Sequence, residues 1–228
     1  HILSESGIDV TSGILREEAE KILRPFFKVR ETGLPWLIWK TAMSLDGRLT
    51  RPPGEGQWLT GEEARADVQK LRATIDAILT TGETVRRDKP ALTIRDASLL
   101  EGRKQPWRVV VADQPDTLPA DAPLFTDPAK DRTLIRPRHG IETTLRRLVS
   151  EQGVLSCMTE CGGVFSAALF EAGLVDEVVI YYAPLLCGGP VPALAGPGLV
   201  DSIKLTETVF TRLGDDLRFH GVVQHKRS

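Results

Sequence analysis

Three stretches of this 228-residue chain bring together side chains able to do chemistry. In Lys40-Thr41-Ala42-Met43-Ser44-Leu45-Asp46-Gly47-Arg48 a lysine closes an apolar run and a polar turn follows. Lysine is seldom buried without a partner. Lys40 is therefore either a working cation at a strand end or the lysine of an edge strand whose ammonium reaches water. In Thr81-Gly82-Glu83-Thr84-Val85-Arg86-Arg87-Asp88-Lys89-Pro90 a glycine, hydroxyls, two arginines and an aspartate suit a phosphate or a polar ring, and equally suit a solvated turn of mixed charge. In Thr159-Glu160-Cys161-Gly162-Gly163 two glycines open a helix. Glycine lets a ligand approach the backbone, and the free N–H groups of a helix start attract anions such as a pyrophosphate. A full G-x-G-x-x-G fingerprint is absent, so a tight turn explains the glycines equally well. Glu160, at a strand end, is the better functional candidate.

The elements that must position these residues alternate between strand and helix. Residues 34–42 are an apolar run rich in β-formers and read as a buried strand. Residues 60–74 read as a helix, with Thr60 and Glu63 as a capping box and Ala64, Val68, Leu71 and Ile75 at helical spacing. Strands are predicted at 76–81, 108–112, 132–136, 154–159 and 177–183, and helices at 141–152 and 162–172. Residues 203–212 and 216–223 form a terminal hairpin around Gly214-Asp215. This pattern predicts an α/β fold with a mostly parallel sheet and an antiparallel edge. All three chemical stretches then follow strands, where open α/β sheets bind ligands. The Pro/Asp-rich residues 115–131 read as a surface loop. The first part of the chain differs: a short strand and turn near 7–15, a helix over 17–27 ending about Pro25, and a polar linker over 28–33.

Composition limits the function. The net charge of −2 speaks against a nucleic-acid-binding protein, because a phosphate grip needs excess positive charge. No apolar run reaches the ~20 residues of a membrane span, so no membrane partner is expected. The cysteines Cys157, Cys161 and Cys187 are few and odd in number, as in reduced proteins of the cytoplasm. Cys157 and Cys161 lack a histidine or a second pair, so no metal site is expected. They read as buried thiols, Cys161 being reactive if the helix start lowers its pKa. The zinc-deaminase signature, a nucleophile elbow and a Walker motif are all missing.

Taken in order, the stretches 40–48, 57–60, 71–73, 76–79, 84–95 and 160–163, together with Gly173-Leu174-Val175-Asp176-Glu177 and Ala183-Pro184, resemble the reductase domain of the bifunctional riboflavin-biosynthesis deaminase–reductases. The resemblance covers residues 34–228 and implies a dihydrofolate-reductase-like fold. It implies reduction of 5-amino-6-(5-phosphoribosylamino)uracil by NADPH to the ribitylamino product. By position it assigns cofactor contacts to Ala42, Trp58, Thr84, Asp88 and the run Gly162, Gly163, Val164, Phe165, Ser166 through Ala168. It assigns substrate contacts to Gly56, Arg72, Leu92, Arg95 and Glu160. Lys40, Asp88 and Glu160 are the candidate catalytic groups. Residues 1–33 resemble the segment joining the family's deaminase to its reductase, which makes the chain a piece of a longer protein or a lone reductase that kept the linker. A homodimer is expected. The alternatives are a related reductase with another heterocyclic substrate and a non-catalytic ligand-binding module.

Three positions depart from the family pattern. Cys161 replaces a smaller residue, and Gly56 replaces a polar one and so removes a substrate contact or leaves it to the backbone. Val111-Ala112-Asp113 places an aspartate where it would repel an adenosine 2′-phosphate, which leaves NADH open as the cofactor.

Overall fold

The computed structural model describes residues 2–225. Eight strands form one sheet: β1 (Trp36–Ser44), β2 (Ala77–Thr81), β3 (Trp107–Val111), β4 (Thr133–Arg136), β5 (Ser156–Thr159), β6 (Glu177–Ala183), β7 (Leu205–Leu213) and β8 (Asp216–Val223). Their order is β4-β3-β2-β5-β1-β6-β8-β7. The pairings among β1 to β6 are parallel, and β8 runs antiparallel to both β6 and β7. The expected α/β architecture, mostly parallel with an antiparallel C-terminal hairpin, is the one found. The helices are α1 (Ile2–Glu5), α2 (Arg16–Thr32), α3 (Glu62–Ala73), α4 (Gly82–Asp88), α5 (Pro123–Thr126), α6 (Ile141–Gln152) and α7 (Gly163–Glu171).

Strand side chains alternate between the two faces of the sheet. On one face Leu37, Trp39, Leu79 and Val178 pack with Leu145 and Leu148 of α6 and Phe165 and Leu169 of α7. On the other Ile38, Ile78, Met158 and Val179 pack with Ala64 and Val68 of α3, Val85 of α4 and Leu124 of α5. Helices thus cover both faces, as a buried parallel sheet requires. Lys40 and Ala42 follow Ile38 at steps of two and share its face. β1 lies between β5 and β6, so Lys40 stands on a central strand and not on an edge.

Several local expectations are corrected. Residues 8–13 form no strand, and α1 precedes them. α2 continues past Pro25 to Thr32, so residues 28–32 are helical and not a linker. An interior proline costs a helix about 3 kcal/mol. Contacts to the body offset that cost: Lys21 and Arg24 pair with Glu207, Lys28 pairs with Asp176, and Arg146 donates to the carbonyl of Thr32. Gly33 stops the helix with a left-handed φ of 70°. At the start of α3 the N-cap is Gly61 and no capping box forms. The buried carboxylate of Asp216 instead accepts the Gly61 N–H at 2.7 Å, so the cap comes from the terminal hairpin. The polar stretch after β2 is the helix α4, with Thr81 accepting the Thr84 N–H. Residues 115–131 are no mere surface loop, since Ala122 and Leu124 are fully buried. Asp127 completes that anchorage by gripping the buried Arg108 of β3 at 2.6 and 2.9 Å.

Candidate active site

At the carboxyl end of the central strands, beneath α3, the sheet carries a connected set of polar side chains. Glu160 directly follows β5, and the Thr80 hydroxyl holds its carbonyl at 2.7 Å. Arg72, from the last turn of α3, meets the Glu160 carboxylate with two parallel bonds of 2.8 and 3.0 Å. The Lys40 ammonium lies 3.5 Å from Glu160 Oε2 and 5.8 Å from the centre of the Tyr181 ring. The Tyr181 hydroxyl donates to Asp67 of α3 at 2.8 Å, and Arg218 of β8 donates to the same carboxylate at 2.9 Å. Tyr181 and Arg218 are paired neighbours on β6 and β8. Burial alone would raise the Glu160 pKa, but the charges of Arg72 and Lys40 outweigh it and hold the carboxyl down at about 2. Glu160 is therefore a carboxylate and a hydrogen-bond acceptor at neutral pH.

Lys40, Arg72 and Glu160 are thus brought into direct contact. Arg72 is buried, and its three guanidinium nitrogens all donate to protein, the third to the Thr93 carbonyl at 3.0 Å. Its geometry suits it to hold Glu160 more than to grip a phosphate. Arg95 is the opposite: its side chain is exposed and makes no hydrogen bond or ion pair among the described residues. Leu92, three residues before it, is buried with a left-handed φ of 51°. Asp88 is exposed at the end of α4. Crowding by the protein raises its carboxyl pKa, and the neighbouring Arg87 pulls the other way. Thr84 lies in the first turn of α4, its hydroxyl 3.0 Å from that of Thr81. Trp58 is exposed beneath the Arg65 guanidinium, and Gly56 has open space where a Cβ would stand.

The glycine pair divides into two roles. Gly162 is the N-cap of α7, no side chain caps that helix, and a Cβ on Gly162 would meet nothing within 4 Å. A Cβ on Gly163 would fall 2.2 Å from the Pro192 carbonyl oxygen, so this glycine admits the backbone of the 190s segment. Val164 is exposed on the first turn of α7, while Phe165 and Ser166 are buried and the Ser166 hydroxyl donates to the Gly162 carbonyl. Burial pushes the Cys161 thiol up to about 11, which disfavours the thiolate at neutral pH. The end of the first stretch is likewise structural. Asp46 accepts the Ser44 hydroxyl and the N–H groups of Cys187 and Gly188, the last two at 3.0 and 2.7 Å, which ties the turn after β1 to the turn after β6.

Sequence reasoning missed Tyr181, Asp67 and Arg218. Each lies inside a regular element, and no local pattern links them. Arg108, the second residue of β3 and followed by Val109-Val110-Val111, carried the same signal as Lys40: a cation in a buried strand needs a partner.

The sheet order, the single reversed strand and a charged floor at the carboxyl ends define a dihydrofolate-reductase-like reductase domain. Comparison with known proteins gives the family. Residues 35–219 match the model of the RibD C-terminal domain. The riboflavin biosynthesis protein RibD of Escherichia coli is 35% identical over 96% of this chain and 68% of that protein. The solved structure of Acinetobacter baumannii RibD superposes with a TM-score of 0.82 at 29% identity, over 98% of this chain and 68% of that one. The riboflavin biosynthesis reductase Rib7 of Saccharomyces cerevisiae shares the fold, with a TM-score of 0.64 at 16% identity over 91% of this chain and all of its own. The chain belongs to the RibD C-terminal domain family, the reductase part of the riboflavin-biosynthesis proteins. It spans 62–68% of the length of the first curated relatives it matches.

Proposed function

We propose that this domain reduces the ribosyl group of 5-amino-6-(5-phosphoribosylamino)uracil to the ribitylamino product with NADPH. The observation that carries the reading is the contact of Lys40, from the middle of β1, and of Arg72 with Glu160, just past the carboxyl end of β5, in a chain of this family. A carboxylate has about four lone-pair sites. Arg72 uses two of those of Glu160 and the Lys40 ammonium faces a third, which leaves one for an amino or N–H group of the pyrimidine. Lys40 puts a positive charge where the ring-opened sugar, an imine, takes up electrons, and it is a donor for the nitrogen. Arg95 is the guanidinium left over for the substrate phosphate.

The start of α7 suits a dinucleotide. Its first N–H groups lack intrahelical acceptors, no side chain caps them, and Gly162 leaves the approach open. Thr84, Trp58 and Ala42 complete the cofactor side, and the bound nicotinamide supplies the hydride. The Asp113 carboxylate accepts the backbone N–H of Arg138 at 2.8 Å and lies 3.5 Å from His139 Nδ1. Neither contact offsets its negative charge at neutral pH, so NADH stays the cofactor to compare with NADPH.

Residues 1–33 are read as the connection to a deaminase domain, which accounts for the remaining third of the relatives' length. β7 is an edge strand with Val209 and Phe210 exposed, and an exposed apolar edge favours pairing with a second copy, so the reading includes a homodimer. No described helix is long and apolar enough to cross a membrane, and sparse free thiols agree with a cytoplasmic setting. Loss of reduced-nicotinamide absorbance on mixing protein, NADPH and this substrate tests the proposal, with NADH as the comparison. Binding of NADPH with no turnover of this uracil would move the reading to a related heterocycle.

A further inference from the structure

Residues 91–95 belong to no helix or strand, yet side chains from elsewhere hold their backbone at four positions. Arg108 Nη1 donates to the Ala91 carbonyl at 2.9 Å, and Arg72 Nη1 donates to the Thr93 carbonyl at 3.0 Å. The Gln105 amide grips Ile94 twice: Oε1 accepts its N–H and Nε2 donates to its carbonyl, both at 2.8 Å. Gln69 Oε1 accepts the Arg95 N–H at 2.8 Å. Between these ties Leu92 keeps a left-handed φ of 51° with its side chain buried. A leucine stays in that conformation only where its surroundings over-determine it. Gln105 is itself held, because Arg132 donates to its carbonyl and the buried Pro106 follows it.

We propose that Gln105 is a positioning residue for the reduction. It gives Ile94 the two hydrogen bonds that a neighbouring strand would give, at one residue only. With Gln69 on the next N–H, it fixes the direction in which the chain presents Arg95, and with Arg108 and Arg72 it fixes the bend at Leu92. The inference rests on the reading that Leu92 and Arg95 meet the substrate. Gln105 acts through them, so removing its amide weakens substrate binding and leaves cofactor binding alone.

The test is steady-state kinetics on the full chain with NADPH and the phosphorylated uracil, for Gln105→Leu, Gln105→Glu and Arg95→Ala. Gln105→Glu keeps the acceptor for the Ile94 N–H and loses the donor, so it carries the same comparison if Gln105→Leu does not fold. The expected result is a substrate KM raised about tenfold for Gln105→Leu, with kcat and the NADPH KM within about twofold of the parent. Arg95→Ala should raise the same KM. If Arg95→Ala raises the substrate KM and the Gln105 variants do not, the inference is overturned and the substrate reading stands. If Arg95→Ala leaves the substrate KM unchanged, the substrate reading of the segment falls and the inference falls with it. If Gln105→Leu lowers the melting temperature and shifts kcat and both KM values together, Gln105 is a structural residue only.

Discussion

Two buried carboxylates stand at opposite ends of the sheet, each between two basic side chains. Glu160 follows β5 at the carboxyl end and meets Arg72 and Lys40. Asp176 precedes β6 at the amino end and meets Lys28 of α2 and His225 of the C-terminal segment. Asp176 also accepts the Leu37 N–H at 2.7 Å, and its side chain is 3% exposed. Its partners tie α2, β1 and the C-terminal segment together. Among the described residues, no backbone N–H donates to the Glu160 carboxylate. It is 14% exposed, and its second cation stands off at 3.5 Å. Among the described residues each carboxylate has three partner atoms, but one is tied to backbone and closed to solvent while the other meets only side chains and is partly open, and the open one lies where parallel strands present ligands. Solvent access and freedom from the backbone separate a site from a tie.

Removing either carboxylate should cost the fold heavily, because buried cations lose their partner. Glu160→Ala and Asp176→Ala should each lower stability by about 3–5 kcal/mol in urea denaturation. A loss below about 1 kcal/mol for Asp176→Ala would remove it as a tie.

Acid should act on the open carboxylate in a defined window. Glu160 titrates lower in the fold than in the unfolded chain. Its contribution is complete above the ordinary value of 4.5 and disappears as pH falls through about 2. The parent should lose on the order of 3 kcal/mol across that range. Urea melts of Glu160→Gln at the same pH values should lack this slope. An equal slope in the variant would place the acid sensitivity elsewhere.

The glycine pair sharpens the contrast on a smaller scale. Gly163→Ala drives a Cβ into the Pro192 carbonyl and should cost about 1–3 kcal/mol. Gly162 has an ordinary φ of −75° and open space, so Gly162→Ala should melt like the parent and raise only the NADPH KM. The reverse pattern would break the assignment of the two glycines.

The smallest effect belongs to Cys161. With its thiol pushed up to about 11, it should react with thiol reagents at neutral pH far more slowly than an exposed cysteine. Rapid modification of Cys161, read by mass spectrometry, would contradict the raised thiol.

The sheet was legible because its strands are short apolar runs separated by helical spacing, and the parallel pairing followed from that alternation. The location of Glu160 past the carboxyl end of β5 was legible for the same reason, whereas Lys40, expected near the end of its strand, stands in the middle of β1, which runs on to Ser44. What the sequence hid depends on distant partners. The cap of α3 comes from Asp216, 155 positions away. α2 runs through Pro25 because charges on the body hold it. Arg72 is occupied by Glu160, 88 positions away, so residue type alone did not separate it from Arg95. Neither the ties of Asp176 nor the clamp of Gln105 on Ile94 leaves a local trace, since both are contacts between segments that become neighbours only in the folded sheet.

The most direct measurement is the rate of nicotinamide oxidation at saturating substrate and NADPH for Glu160→Gln and Asp176→Asn, both assayed well below their melting temperatures. Glu160→Gln should lose on the order of a hundredfold or more in kcat, while Asp176→Asn should keep kcat within a few-fold and lose only stability. Equal losses of kcat in the two variants, or an active Glu160→Gln, would contradict the assignment of chemistry to the carboxyl end of the sheet.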